Sequence, residues 1–174
     1  IGSAVKNYKV GDRVMAVTGH GAFAEEICVS ENKITKIPDE MDYITAASMS
    51  LTYGTSAYAL FQRANIVKDD VVLIHGATGG VGITALEISK ASGAKVIATA
   101  STDDKLKIAK EYGADYCINY SKGQFKDKVK EITNGNGADI IYDPVGGEVF
   151  MQSLRCIAWN GKILVIGFAS GNIA

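Results

Sequence analysis

The stretch that most restricts what this chain can fold into is Val71-Val72-Leu73-Ile74-His75-Gly76-Ala77-Thr78-Gly79-Gly80-Val81-Gly82. A run of apolar and β-branched residues stops at a glycine-rich turn. An apolar-patterned helix, Gly80 to about Ser92, begins inside that turn. Strand, glycine turn and helix in this order predict a phosphate-binding corner. Backbone N–H groups at a helix start carry partial positive charge and point at an anion. Glycine is needed where a Cβ would hold the phosphate away from the main chain. Aligned on Gly79 and Gly82, the G-x-G-x-x-G pattern has Ala77 in place of its first glycine, with an extra glycine, Gly76, just before it. By itself such a motif is a weak signal and also fits an ordinary tight turn between strand and helix. The strand before it, the helix after it and a second strand, Lys95–Ala100, are what a βαβ dinucleotide-binding unit requires.

The alternation continues along the chain. Thr102 caps a helix that runs through Tyr112, with Asp103 and Asp104 in its favourable first turn. Tyr116–Asn119 reads as a strand. Phe125, Val129 and Ile132 mark one face of a helix whose other face is lysine-rich and solvated. Asn134–Gly137 is a turn, Ala138–Tyr142 a strand and Gly147–Trp159 a helix. Lys162–Gly167 is almost wholly apolar, as a buried parallel strand is. These elements predict an α/β fold, a doubly wound parallel Rossmann sheet. Counted from Val71, its strands should lie in the order 3-2-1-4-5, with a sixth strand truncated at the chain end.

Before the glycine corner the pattern differs. Ile1–Ala4 reads as a strand or turn. Val10–Val17 gives a turn and then alternating apolar positions, and Ala22–Ser30 repeats the idea around the glycine turn Thr18–Gly21. Two short strands do not stand alone, so they are expected to be part of a β-barrel or sheet. Pro38-Asp39-Glu40 ends this part. Asp42 to about Arg63 reads as two helices broken near Leu51–Gly54. The small hydroxyl residues there either face a ligand or allow close helix packing. The division expected is residues 1–37 and residues 38–174.

Composition removes several function classes. The chain has 174 residues and a formal net charge of -1, without a concentrated basic block, so nucleic acid is not its primary partner. No apolar run approaches the ~20 residues of a membrane span. Cys28, Cys117 and Cys156 lie far apart in the sequence. They read as reduced, mostly buried thiols of a cytoplasmic protein, with neither a metal site nor a disulfide framework implied. His20 sits in a glycine turn without a neighbouring carboxylate and is read as neither ligand nor acid–base. No side chain is identified as catalytic or as a metal ligand.

The end of the second strand bears on which dinucleotide fits. An acid ~20 residues beyond the first glycine would bond the ribose hydroxyls and repel a 2′-phosphate. Ile97–Ser101 contains none. Ser101 offers a small hydroxyl instead, and Lys105 lies one helical turn beyond it. Asp103 and Asp104 add opposing charge and are read as a helix N-terminus facing solvent.

Several motifs in order resemble one family: Val10-Gly11-Asp12-Arg13-Val14, Gly21-Ala22-Phe23-Ala24-Glu25, Leu51-Thr52-Tyr53-Gly54-Thr55, the Ala77–Gly82 corner, Asp143-Pro144-Val145-Gly146-Gly147 and Gly167-Phe168-Ala169-Ser170-Gly171. Together they are similar to the zinc-independent quinone oxidoreductases, zeta-crystallin-like enzymes of the medium-chain dehydrogenase/reductase superfamily. The resemblance implies the remnant of a GroES-like catalytic β-barrel over residues 1–37. It also implies a Rossmann NADP-binding domain over 38–174, truncated at its C-terminus. It places Ala77, Thr78, Gly79, Gly80, Val81 and Gly82 around the pyrophosphate of NADPH, and Thr55 against the nicotinamide ribose or carboxamide. Val145, and the turn containing Gly167, Phe168 and Ser170, would meet the nicotinamide end through backbone groups. Lys105 and Tyr120, with Ser101, would grip the 2′-phosphate. The implied reaction is hydride transfer to a quinone or enone substrate by a full-length homodimer, the present chain alone being inactive. Tyr53 and Tyr58 are the nearest candidate proton donors, although packing is the expected role of both. The alternatives are an enoyl-thioester reductase and an NADPH-binding module without turnover.

Overall fold

The computed structural model describes residues 1–173 and divides into two compact units, Ile1–Leu51 and Thr52–Ala174. In the first unit, β1 (Val14–Ala16) pairs antiparallel with β2 (Ile34–Lys36), Val14 facing Lys36 and Ala16 facing Ile34. The strand expected at Ala22–Ser30 does not form, and the partner of β1 follows a short 3-10 turn, Glu31–Lys33. Glu25 and Glu26 interrupt the period-two alternation of that segment, which leaves it no apolar face to bury. Ile1–Ala4 is a turn, closed by Val5 N–H donating to Gly2 O at 3.1 Å.

The expected helix break near Leu51–Gly54 is also absent. Helix α1 (Tyr43–Ala57) runs through Gly54 and passes into a π-helical segment, Tyr58–Ala64, closed by Asn65 in the left-handed region. One glycine costs a helix about 1 kcal/mol, less than the backbone bonds a break would forfeit. Ser56 anchors this helix two residues beyond Gly54. It is fully buried and bonds Val81 O at 3.0 Å, Thr84 Oγ1 at 2.8 Å and Tyr142 OH at 2.8 Å. The hydroxyl at this position therefore serves packing.

Beyond it lie β3 (Val71–Ile74), α2 (Gly80–Ala91), β4 (Lys95–Ala100), α3 (Asp103–Glu111), β5 (Tyr116–Asn119), α4 (Phe125–Ile132), β6 (Ala138–Asp143), α5 (Gly147–Ser153) and β7 (Ile157–Val165). The five strands form one sheet in the order β5-β4-β3-β6-β7, and every neighbouring pair is parallel. Counted from Val71 this is 3-2-1-4-5, the order expected of the doubly wound fold. Alternation along β3 sends Val72 and Ile74 to one face and Leu73 to the other. Each face has its own apolar layer, one holding Leu60, Leu86, Val96 and Tyr142, the other Ile97, Phe125, Val129, Ile141 and Cys156.

The last helix and strand divide differently from the sequence pattern. α5 ends at Ser153, so Trp159 belongs to β7 and not to the helix. Ala138 pairs with Ile157 and Ile140 with Lys162, which leaves Ala158–Gly161 bulged opposite Asp139. Asn160, with φ +60°, and Gly161 make the turn, and Trp159 is 94% exposed. Apolar residues at helical spacing continue into this bulge and conceal the boundary.

Candidate functional site

The site grows from the turn after β3. Gly76 adopts φ +54°, and its carbonyl accepts the Gly79 N–H at 2.9 Å. The positive φ thus falls on Gly76, while Ala77 is fully buried and donates its N–H to Thr99 O at 3.2 Å. This accounts for the displaced first glycine of the motif. A Cβ on Gly82 would lie 2.2 Å from Gly76 O and 2.9 Å from Ala77 C, so the close crossing of turn and helix requires glycine there. Gly79 is the N-cap of α2, and the N–H groups of the first turn have no acceptor within the helix.

A cavity of about 310 Å³ lies along this corner. It is lined by Gly76, Thr78, Gly79 and Val81 of the turn, by Ala100, Ser101 and Lys105 after β4, and by Tyr120 after β5. Pro144 and Val145 after β6 complete it with Ala169. Seven residues singled out in the sequence, Thr78, Gly79, Val81, Ser101, Lys105, Tyr120 and Val145, therefore meet at the C-terminal ends of the central strands. That is where open α/β sheets bind ligands. Ala77, Gly80 and Gly82 shape the corner from behind and do not line the cavity. Gly167, Phe168 and Ser170 also do not line it, but their turn is bonded to the cavity wall. Ala169 N–H donates to Pro144 O and Ser170 N–H to Val145 O, both at 3.0 Å. Thr55 lies apart, in a larger cavity of about 620 Å³ with Tyr58, Arg63 and residues Lys162–Ile166.

Charge around the smaller cavity is unevenly matched. Lys107 pairs with Asp104 at 2.8 Å. Asp103 accepts from Asn119 Nδ2 at 2.7 Å and from Lys122 Nζ, and these two partners hold its carboxyl below the usual range. Lys105 is exposed and, among the described residues, its ammonium has neither an ion pair nor a hydrogen bond. Thr102 caps α3 as expected, accepting from Lys105 N–H at 3.3 Å.

Behind the corner lies a group the sequence pattern did not single out. His75 is fully buried, with Nε2 at 2.9 Å from Ser153 Oγ and Nδ1 at 2.9 Å from Thr99 Oγ1. Ser153 Oγ–H donates to Val149 O at 2.8 Å, so its oxygen accepts from His75 Nε2–H. Nδ1 is then the acceptor for Thr99 Oγ1–H. Burial pushes the imidazole down to about 3, and the ring is neutral. It ties β3 to β4 and α5, with the Phe125 ring edge-on at 4.8 Å.

The thiols differ from expectation, since Cys28 and Cys117 are exposed and Cys156 alone is buried. Among the described residues no three His, Cys, Asp or Glu side chains gather as a metal site, and no helix is long and apolar enough to cross a membrane.

A parallel doubly wound sheet with a glycine corner and a cavity across its strand ends is the architecture of Rossmann-like α/β domains. Residues 80–174 match the family described as zinc-binding dehydrogenase. The chain is 43% identical over 175 residues to a quinone oxidoreductase-like protein 2 homolog of Nematostella vectensis, a match covering 99% of this chain and 48% of that protein. Among solved structures, quinone oxidoreductase of Pseudomonas syringae pv. Tomato DC3000 superposes with a TM-score of 0.95 at 36% identity. That likeness covers the whole of this chain and 54% of the other. Escherichia coli quinone oxidoreductase complexed with NADPH gives 0.92 at 34% identity, covering 100% and 54%. CurK enoyl reductase gives 0.88 at 31%, covering 96% and 50%. The chain belongs to the zinc-binding dehydrogenase family, and the relatives it resembles include quinone oxidoreductases of the medium-chain dehydrogenase/reductase superfamily. It spans about half the length of the relatives it matches. The family description names zinc, yet the described residues offer no donor set for it.

Proposed function

We propose that this chain is the cofactor-binding half of an NADPH-dependent oxidoreductase that passes hydride to a quinone or another conjugated carbonyl. The observation that carries this reading is Lys105, an unpaired ammonium beside Ser101 and Tyr120 in the cavity that ends at the glycine corner. The corner suits a pyrophosphate because the first-turn amides of α2 have no acceptor within the helix, and the close crossing at Gly82 packs that helix start against the turn. In this reading the first-turn amides of α2, with Thr78, Gly79 and Val81, hold the pyrophosphate. Ala77, Gly80 and Gly82 shape that turn from behind. Lys105, Ser101 and Tyr120 hold the 2′-phosphate, while Val145, Gly167, Phe168 and Ser170 seat the nicotinamide end; Thr55, which lines the other cavity, is assigned to that end by the family resemblance alone. Bound NADPH supplies the hydride; the protein's contribution is to bind, orient and exclude water.

A phosphate–ammonium contact is charge-assisted and worth ~1.5–3 kcal/mol, so NADPH should bind at least about tenfold more tightly than NADH. Lys105→Ala should remove most of that preference and leave NADH affinity nearly unchanged. Titration calorimetry with both cofactors tests the reading, and equal affinities in the unmutated chain overturn it. In the whole protein, residues 1–37 would belong to a GroES-like catalytic barrel and 38–174 to the Rossmann domain, in a cytoplasmic homodimer. The likeness to an enoyl reductase supports a second reading, reduction of an enoyl thioester. Turnover of quinones against enoyl thioesters by the whole protein separates the two.

A further inference from the structure

Asp143 closes β6 and is fully buried. Its Oδ1 accepts the Val145 N–H at 2.8 Å and the Gly146 N–H at 3.0 Å. Its backbone carbonyl accepts the Ile166 N–H at 2.8 Å and the Gly167 N–H at 3.4 Å. One residue therefore grips both turns beside the cavity, Pro144–Gly147 through its side chain and the segment entering Gly167–Gly171 through its main chain. Gly146 is held at φ +72°, and a Cβ there would lie 2.9 Å from Asn172 O and from the Phe168 ring. The first turn is thus fixed by Asp143 on one side and by close packing on the other. The second carboxyl oxygen, Oδ2, is buried with no hydrogen-bond partner among the described residues. Burying an unpaired oxygen opposes folding, so overall stability is a poor explanation for a carboxyl at this point.

We propose that Asp143 is a positioning residue, which sets the two turns so that they seat the nicotinamide end of a bound dinucleotide. This rests on the cofactor reading above. Asp143 does not touch the adenosine side of the cavity, where Ser101, Lys105 and Tyr120 lie. Its loss should therefore be felt by NADPH and not by 2′,5′-ADP, which lacks the nicotinamide. A general loosening of the fold would weaken both ligands alike.

The test is calorimetric titration of the unmutated chain, Asp143→Ala and Asp143→Asn with each ligand. Asp143→Ala should weaken NADPH about tenfold or more and leave 2′,5′-ADP within about threefold. Asp143→Asn keeps an acceptor for the Val145 and Gly146 amides and should restore NADPH affinity to within about threefold. Equal effects of Asp143→Ala on both ligands, or no effect on either, overturn the inference alone. If the unmutated chain binds neither ligand, the cofactor reading fails and the inference fails with it. Amide hydrogen exchange on the unmutated chain decides the matter if Asp143→Ala does not fold. The Val145 and Gly146 amides should be protected before any ligand is added, and exchange at the rate of an unstructured peptide overturns the inference.

Discussion

The buried imidazole of His75, behind the glycine corner, gives the acid stability of this chain a measurable signature. In the unfolded chain His75 has the ordinary value of 6.5, and in the fold burial lowers it to about 3. Below 6.5 the unfolded chain takes up a proton that the folded chain refuses, so protonation favours unfolding. The contribution is fully present above 6.5 and is lost progressively as the pH falls toward about 3. The slope is about 1.4 kcal/mol per pH unit, or about 2.7 kcal/mol by roughly pH 4.5. That is a large share of the stability of an ordinary domain. Carboxylates titrate in the same range, so the comparison is with His75→Gln, which keeps a donor and an acceptor but does not ionise. Urea unfolding at a series of pH values, followed by far-ultraviolet circular dichroism, yields both curves. Fluorescence is a poor probe, because Trp159 is already 94% exposed in the fold. The unmutated chain minus the variant should fall with that slope below about pH 6.5 and be flat above it. A difference that stays flat down to roughly pH 4.5 refutes a buried neutral imidazole.

Three further outcomes follow from the packing. Gly82→Ala forces a methyl group to 2.2 Å from Gly76 O; thermal melts should show a loss of about 2 kcal/mol or more, with weakened dinucleotide binding in titration. Tyr142→Phe should cost about 1 kcal/mol, since Ser56 keeps Val81 O and Thr84 Oγ1. Ser56→Ala leaves the Tyr142 hydroxyl buried without its partner and should cost about 1–3 kcal/mol, so denaturant melts should rank it the more damaging of the two. The chain alone should bind NADPH without reducing quinones at an appreciable rate. Hydride transfer needs the acceptor held ~3–3.5 Å from its donor, and spectrophotometric turnover near that of a whole quinone oxidoreductase would contradict this.

The fold was legible where local signals agreed with tertiary ones. β4 has the bounds its pattern suggests, Lys95–Ala100, because a strand buried on both faces reads as an apolar run. β5 also keeps its expected bounds, Tyr116–Asn119, although it is an edge strand with Tyr116 and Cys117 exposed. α3 was marked by a capping threonine and two acids, all in their expected places. Local signals failed where a long-range partner decided the outcome. Ala22–Ser30 has strand-forming residues but no ladder, since β1 pairs with β2 instead. Gly54 suggested a break that a buried hydroxyl two residues later outweighs. In β7, the register with β6 turns Ala158–Gly161 into a bulge, although their spacing continues a helix.

The site divides in the same way. Residues on the glycine corner and after β4 were singled out from spacing and the family resemblance, Tyr120 and Val145 from the resemblance, and strand order brings seven of them to one cavity. Lys105 gained weight from structure, because the two acids that argued against it are engaged by Asn119, Lys122 and Lys107. His75 and Asp143 stand within sequence motifs that give them no role of their own, for a common reason. Each ends an apolar strand run, Val71–Ile74 in one case and Ile140–Tyr142 in the other. A titratable residue continuing such a run is buried with its neighbours, and burial obliges it to find polar partners. For His75 these are Thr99 and Ser153, 24 and 78 residues away, which no local pattern connects. For Asp143 they are the amides of the next turn, close in sequence but bonded only because Gly146 takes a positive φ. The polar residue at the end of a buried strand was itself the signal, and it lies one or two positions from the turns that line the cavity.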